Sequence, residues 1–170
     1  MRGAFFTLAL VLGLVSAVTA AGEPKCHVML GFGIGNAGDA SGPAAAIDVS
    51  IVQPKTLFSI RVLGCSEVKI WGKVQSVGDV SILGGIRKVS ENSELSIEGG
   101  AGFVHLHVRE TVMTGDSLYP TSSQMVNDET VGLALQGKFF WRGIGGILYG
   151  NINSKSSFVG ALVAFRIGKW

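Results

Sequence analysis

The sequence predicts an all-β fold, an eight-stranded antiparallel up-and-down transmembrane β-barrel, because three observations coincide. A signal-like segment opens the chain, polar breaks of alternating length divide the rest, and the stretches between breaks alternate apolar and polar residues. Short breaks lie at 54–55, 91–92 and 142–143, and longer ones at 36–43, 66–78, 111–129 and 153–157. Tight turns on one side of a membrane and longer loops on the other are typical of transmembrane barrels. The alternation therefore also predicts the direction of each strand.

The first 21 residues are predicted to be a signal peptide. Arg2 supplies a positive start, residues 5–18 are apolar apart from Thr7 and Ser16, and small residues suited to cleavage follow at 18–21. An uncleaved anchor is the alternative, but it needs about 20 apolar residues and usually a charged stop beyond them. The predicted domains are thus a signal peptide, 1–21, and a barrel domain, 22–170.

Composition narrows the classes of protein that the mature chain can belong to. About 150 residues suit one domain. The chain holds 25 glycines, only 15% of its residues are charged, and its net charge is +2. It has no cluster of lysine and arginine interleaved with aromatic residues, so we expect no nucleic-acid partner.

Eight strands can be drawn between the breaks, at 27–35, 45–53, 56–64, 79–89, 95–108, 130–141, 144–152 and 158–169. Each approaches or exceeds the roughly nine to eleven residues with which a tilted strand crosses a bilayer. An even number of strands returns both termini to the same side, which in this topology is the periplasm.

Alternation along each strand assigns its two faces, because successive side chains point to opposite sides of a sheet. Strand six is the clearest, with Val131, Leu133 and Leu135 on one face and Gln136 and Lys138 on the other. With the apolar faces toward lipid, six charged residues point inward: Asp48, Arg61, Arg87, Glu98, Lys138 and Arg166. A barrel of eight strands is narrow enough to be filled by side chains. We therefore expect a paired, structural polar network without an open pore; the alternative places some of these charges at the rims.

Aromatic residues are expected at the two membrane surfaces, as in the girdles of transmembrane barrels. The predicted interface aromatics fall near turns, loops or the C-terminus, and they are Phe58, Trp71, Phe140, Trp141 and Trp170.

Two histidines, His105 and His107, share one strand face, a spacing that can provide two ligands to zinc. No cluster of cysteine or carboxylate ligands accompanies them in the sequence, so we expect a polar pair at or above the interface, with no metal and no cofactor. Their parity matches that of Leu95, Ile97 and Phe103. Either a bulge intervenes at 99–102 or the histidines point outward above the membrane.

The two cysteines are not expected to form a disulfide. Cys26 lies at the start of the first strand, and Cys65 lies where the third strand leaves the membrane on the other side. A disulfide needs Cα atoms within about 7 Å, whereas the hydrocarbon core is about 30 Å thick.

In architecture the mature chain resembles the small outer-membrane barrels, the OmpA-type membrane domain and the OmpX-like proteins. Members commonly end on an aromatic residue that assists the barrel-assembly machinery, and this chain ends at Trp170 after residues 165–169. The apolar face of the last strand, 159 to 167, has the opposite parity. The resemblance implies the outer membrane of a Gram-negative-type bacterium, both termini in the periplasm, and contact with outer-membrane lipid and lipopolysaccharide.

The predicted function is a structural or surface-interaction role through the external loops, of which 112–129 is the longest. One alternative is a lipid-modifying barrel enzyme similar to lipid A acyl hydrolases. Its late strand would need serine and histidine, and the region 147–154 contains Ser154 but no histidine. We therefore expect no catalytic residue. The other alternative is a soluble periplasmic barrel with its apolar faces around an apolar ligand, because alternation is unchanged by inversion.

Overall fold

A computed structural model describes residues 25–37, 40–67, 73–112 and 122–167. These residues form eight strands: β1 (Lys25–Ala37), β2 (Ala40–Val52), β3 (Thr56–Ser66), β4 (Lys73–Val89), β5 (Ser93–Val112), β6 (Ser122–Trp141), β7 (Ile144–Ile152) and β8 (Phe158–Ile167). Each strand pairs antiparallel with the next, and β8 pairs with β1 to close the barrel. The predicted fold class is confirmed. The predicted signal peptide lies outside the described residues.

Within the described ranges, no helix combines the length and the hydropathy needed to cross a membrane.

The two ends of the barrel differ in how their strands are joined. At the end that we call the terminal end, β1 begins, β8 ends, and three short turns join the strands at 53–55, 90–92 and 142–143. The last of these turns contains Arg142 with φ of 49° and Gly143 with φ of 90°. Two central residues with positive φ make a type I′ turn, whose twist matches that of the flanking strands. The opposite end, which we call the hairpin end, carries the connections after β1, β3, β5 and β7.

Strands β1 to β6 extend further at the hairpin end than the sequence predicted, whereas β7 and β8 meet that end at Ile152 and Phe158, as predicted. Strands β5 and β6 have 20 residues each, whereas β7 has 9 and β8 has 10. Residues 111–112 and 122–129 of the predicted loop 111–129 are therefore strand, and so are residues 36–37 and 40–43 of the predicted loop 36–43, with Ile34 paired to Pro43. The loop prediction relied on polarity. The backbone ladder does not depend on apolar side chains, so the apolar alternation can end before the strand does.

Strand β5 settles the orientation of the two histidines. Its pairing with β4 runs without interruption from Val89 opposite Glu94 to Lys73 opposite Glu110, and its pairing with β6 is equally regular. No bulge occurs at 99–102, so the second alternative is the correct one, and His105 and His107 point outward.

Candidate functional site

The first part of the buried polar network is centred on Arg61 of β3. Its Nη2 lies 2.6 Å from Oδ2 of Asp79 on β4 and also donates to Ser81 Oγ at 3.2 Å. Asn151 of β7 donates to the second oxygen of Asp79 at 3.2 Å. Arg61 Nη1 reaches Gln136 of β6 at 3.3 Å. Four strands are therefore tied together by one buried ion pair and its neutral partners.

The second part is centred on Lys138 of β6. Its Nζ lies 2.9 Å from Asp48 Oδ2 on β2 and 2.8 Å from Glu98 Oε1 on β5. Gln136 donates to both carboxylates at 2.9 Å and so links this group to Arg61. Ser59 of β3 donates to Glu98 at 2.5 Å. The two acids and one base lie inside the barrel with almost no solvent exposure, which requires partners of this kind.

The third part lies toward the terminal end and places two arginines on one carboxylate. Arg166 of β8 donates to Glu94 Oε2 at 2.6 Å, and Arg87 Nη2 lies 3.6 Å from the same oxygen. The Arg166 guanidinium also lies over the Phe140 ring, 5.1 Å from its centroid. The structure thus places all six predicted interior charges inside the barrel.

Sequence reasoning missed two charged members of the network, Asp79 and Glu94. Both lie at the limits of the strands that were predicted, where faces were not assigned. Parity could have found them, because Asp79 shares a face with Ser81 and Arg87, and Glu94 shares one with Glu98. With them the three parts hold four acids and four bases: Asp48, Asp79, Glu94 and Glu98 against Arg61, Arg87, Lys138 and Arg166.

The interior is filled rather than open around this network. A Cβ atom at Gly102 would lie 2.5 Å from both Asp79 Oδ1 and Asn151 Nδ2, so only glycine leaves room for the Arg61 group. Inward apolar side chains, among them Leu63 and Leu162, pack beside it. The Arg61 guanidinium lies 5.7 Å from the Tyr149 ring centroid.

The outer wall is the opposite of the interior. Strand β6 directs Val131, Leu133 and Leu135 outward, with exposures of 67%, 53% and 45%. Strands β1 and β8 do the same with residues such as Ile34 and Val163. The soluble alternative required apolar faces inside and charges outside, which is the reverse of this arrangement.

The predicted interface aromatics divide into three groups. Phe58 is half-buried on the outer wall, and Trp141 is outward and exposed beside Arg142, whose guanidinium lies 5.3 Å from its ring. Trp71 and Trp170 lie outside the described residues. The prediction for Phe140 is wrong, because this residue is inward and 1% exposed. It shares parity with Lys138, and its ring covers Arg166.

The histidine pair lies on the outer surface toward the hairpin end. His105 Nδ1 is 3.3 Å from Glu129 Oε1 on β6, its paired residue. The His107 ring lies 6.3 Å from the His105 ring, centroid to centroid, with 28° between their planes. Among the described side chains, no serine hydroxyl hydrogen-bonds to either ring, so no serine and histidine pair of the hydrolase type is formed here.

Beyond the barrel proper, β4, β5 and β6 continue as a sheet that we call the extension. Residues 122–132 of β6 pair with β5, and β7 begins to pair with β6 only at Leu133. The segment 153–157 touches this part of β6 through Lys155, whose Nζ lies 3.0 Å from Asp128 Oδ2. The Lys155 hydrogen bond lowers the pKa of Asp128 below its ordinary value.

Comparison with solved structures finds barrels of similar fold. Ail, the attachment invasion locus protein of Yersinia pestis, has 12% identity with a TM-score of 0.57, covering 85% of this chain and 99% of Ail. Neisserial surface protein A has 8% identity with a TM-score of 0.59, covering 85% of this chain and 96% of that protein. Ail has also been solved in complex with the heparin analogue sucrose octasulfate. No protein-family model and no curated protein matches the sequence.

At these identities the likeness concerns the fold. The chain has the architecture of small eight-stranded outer-membrane barrels, in agreement with the resemblance inferred from its strands and breaks. The near-complete coverage of both neighbours means that the whole barrel is matched and not one hairpin of it.

Proposed function

We propose that the chain is a small outer-membrane barrel protein, exported by residues 1–21 and embedded through residues 22–170, with both termini in the periplasm. The observation that carries the proposal is the apolar outer wall around a charged interior. A soluble protein rarely leaves a continuous apolar surface of this extent to water. In this topology the terminal end is periplasmic and the hairpin end is external, since short turns occur on the periplasmic side and long hairpins outside.

The barrel itself does not conduct solutes in this proposal. The support is the packing of paired charges across the lumen, where Lys138 joins side chains from β2 and β5, and Arg61 joins β4 and β6. A solute would have to separate buried ion pairs, and leaving one charge unpaired costs about 3–5 kcal/mol. In this proposal the closed interior gives the extension a rigid base.

The interaction role belongs to the extension, and in particular to the edge of β6 at 122–132. An exposed strand edge presents unpaired backbone groups that another extended polypeptide can join. Lys155 holds the segment 153–157 against part of this edge through Asp128. A polyanion such as the one bound to Ail is less suited to this surface, because Asp128 and Glu129 lie on it.

Membrane fractionation of cells expressing the full chain tests the location, with the folded state followed by gel mobility with and without boiling. The proposal predicts recovery in the outer membrane, a heat-dependent mobility shift, and no stable conductance when the folded protein is placed in planar bilayers. Recovery in the soluble periplasm would overturn the location. A steady conductance from the folded protein would overturn the closed interior.

An epitope inserted between Gly115 and Asp116 tests the topology of the same protein. Antibody binding to intact cells is expected for this insertion, and a matched epitope inserted between Glu91 and Asn92 should bind only after the outer membrane is permeabilised. The reverse pattern would contradict the assignment of the two ends.

A further inference from the structure

We infer that His105 and His107 form a binding site for a divalent transition-metal ion such as Zn²⁺ on the outer surface of the barrel. The two side chains leave the same face of β5 two residues apart, and their rings are stacked with centroids 6.3 Å apart. Imidazole nitrogen is a ligand that suits zinc, copper and nickel. The sequence alone gave no third partner for this pair, and the barrel supplies one.

The third partner is Glu129, which the register of β5 and β6 places opposite His105. Its Oε1 lies 3.3 Å from His105 Nδ1. In metal sites a ligating histidine usually donates its second ring N–H to a carboxylate, which fixes the tautomer and the orientation of the ring. Glu129 therefore orients His105 and leaves Nε2 with its lone pair free. In this site it is a positioning residue and not a metal ligand.

The geometry allows both Nε2 atoms to reach one ion. Zinc binds histidine nitrogen at about 2.0–2.1 Å, so two nitrogens on a tetrahedral ion lie about 3.3 Å apart. The rings have room to converge, because both line a recess of about 470 Å³ on the outer wall. The neighbour of His105 on β4 is Gly78, and a Cβ there would meet nothing closer than the His105 carbonyl oxygen at 3.9 Å.

The site has two protein ligands and takes its remaining ligands from water or from another molecule. This agrees with the absence, in the described part of the chain, of any group of three or more side chains arranged to hold a metal. A site of this kind binds ions from outside the barrel, independently of the buried network. The third histidine, His27, is buried inside the barrel and contributes nothing to the site.

The test is calorimetric titration of Zn²⁺ into the folded full-length barrel domain in detergent micelles. The protein carries no histidine tag, and Cys26→Ser removes the exposed thiol. We expect one Zn²⁺ per chain. Glu129→Gln should weaken binding about 10- to 100-fold, as loss of an orienting carboxylate does, and His105→Asn or His107→Asn should weaken it more.

A geometric control keeps the number of histidines unchanged. The double variant His107→Asn with Val108→His places the second imidazole on the opposite face of β5, and we expect it to bind as poorly as His107→Asn. Each variant is first shown to be folded by its heat-dependent mobility. Absence of Zn²⁺ binding by the folded parent would overturn the inference, and so would equal binding by the double variant or by a chain lacking both histidines.

Discussion

The interior and the outer wall of this barrel are built from the same eight strands, yet different constraints limit which residues each can accept. Inside, four acids and four bases are held by specific partners across the lumen. Outside, residues such as Leu133 and Val163 are exposed and need only remain apolar. The loss of stability from an interior substitution should therefore depend on which partner is lost. For a wall substitution, it should depend on the depth of the residue in the membrane.

The largest effect is expected from Lys138→Met. This change leaves Asp48 and Glu98 as buried carboxylates without their cation, and removing one partner of a buried pair costs about 3–5 kcal/mol. Denaturant unfolding in lipid vesicles measures it. The double variant Lys138→Met with Glu98→Gln restores the charge balance, and we expect it to recover at least half of the loss. A double variant no more stable than the single one would show that charge pairing does not decide stability here.

The wall is tested by Leu135→Arg, which places a cation on the apolar face of β6, inside the part of this strand that pairs with both β5 and β7. An arginine near the middle of the lipid-facing band costs about 2–4 kcal/mol. Asn127→Arg is the matched control, since residue 127 is on the same strand and face but in the extension. Its unfolding free energy should be unchanged. An equal loss of unfolding free energy in both variants would mean that the lipid-facing apolar surface extends as far as residue 127.

A smaller effect is expected at the turn that joins β6 and β7. Arg142 has φ of 49°, which a non-glycine residue adopts at a cost, and asparagine is favoured at this position of a type I′ turn. We expect Arg142→Asn to stabilise the barrel by up to about 1 kcal/mol. Gly143→Ala, whose φ of 90° disfavours a side chain, should do the opposite. Midpoints of denaturant unfolding would measure both effects, provided that the dependence of the unfolding free energy on denaturant concentration is unchanged. A stabilising Gly143→Ala would refute the turn assignment.

The smallest effect concerns the contact between Lys155 and Asp128 at the hairpin end. Lys155 lowers the pKa of Asp128, so this contact stabilises the folded segment above the ordinary pKa and loses its effect as the pH falls through the lowered value. Amide exchange at 153–157, followed by NMR against pH, should show protection lost only in that acidic range. Asp128→Asn should remove this dependence while leaving global unfolding unchanged. Loss of protection near pH 6 would point to another group.

The alternation of the sequence was sufficient to predict the number of strands and the six inward charges because every strand directs apolar side chains outward. It failed where that apolar face ends. Polar residues predominate at 111–129, so this segment looked like a loop, although residues 111–112 and 122–129 are strand. Phe140 was misplaced because an inward aromatic beside Arg166 has the same sequence signature as one at the interface.

The pairing of His105 with Glu129 could not be predicted for a related reason. Glu129 belonged to a segment without assigned strand structure, so its register with β5 was unknown. Once the register is fixed, the Glu129 carboxylate lies beside the His105 imidazole, and the two histidines become a candidate site for metal binding.

A nitroxide scan along β6, in a chain with Cys26→Ser and Cys65→Ser, shows directly which face of this strand meets lipid. Labels are placed one at a time from residue 133 to residue 138 in the protein reconstituted in lipid vesicles, and their collisions with oxygen are measured by electron paramagnetic resonance. We expect high oxygen accessibility at 133, 135 and 137, where side chains face outward, and low accessibility at 134, 136 and 138. The inverse pattern, or equal accessibility throughout, would contradict a barrel whose apolar wall faces lipid.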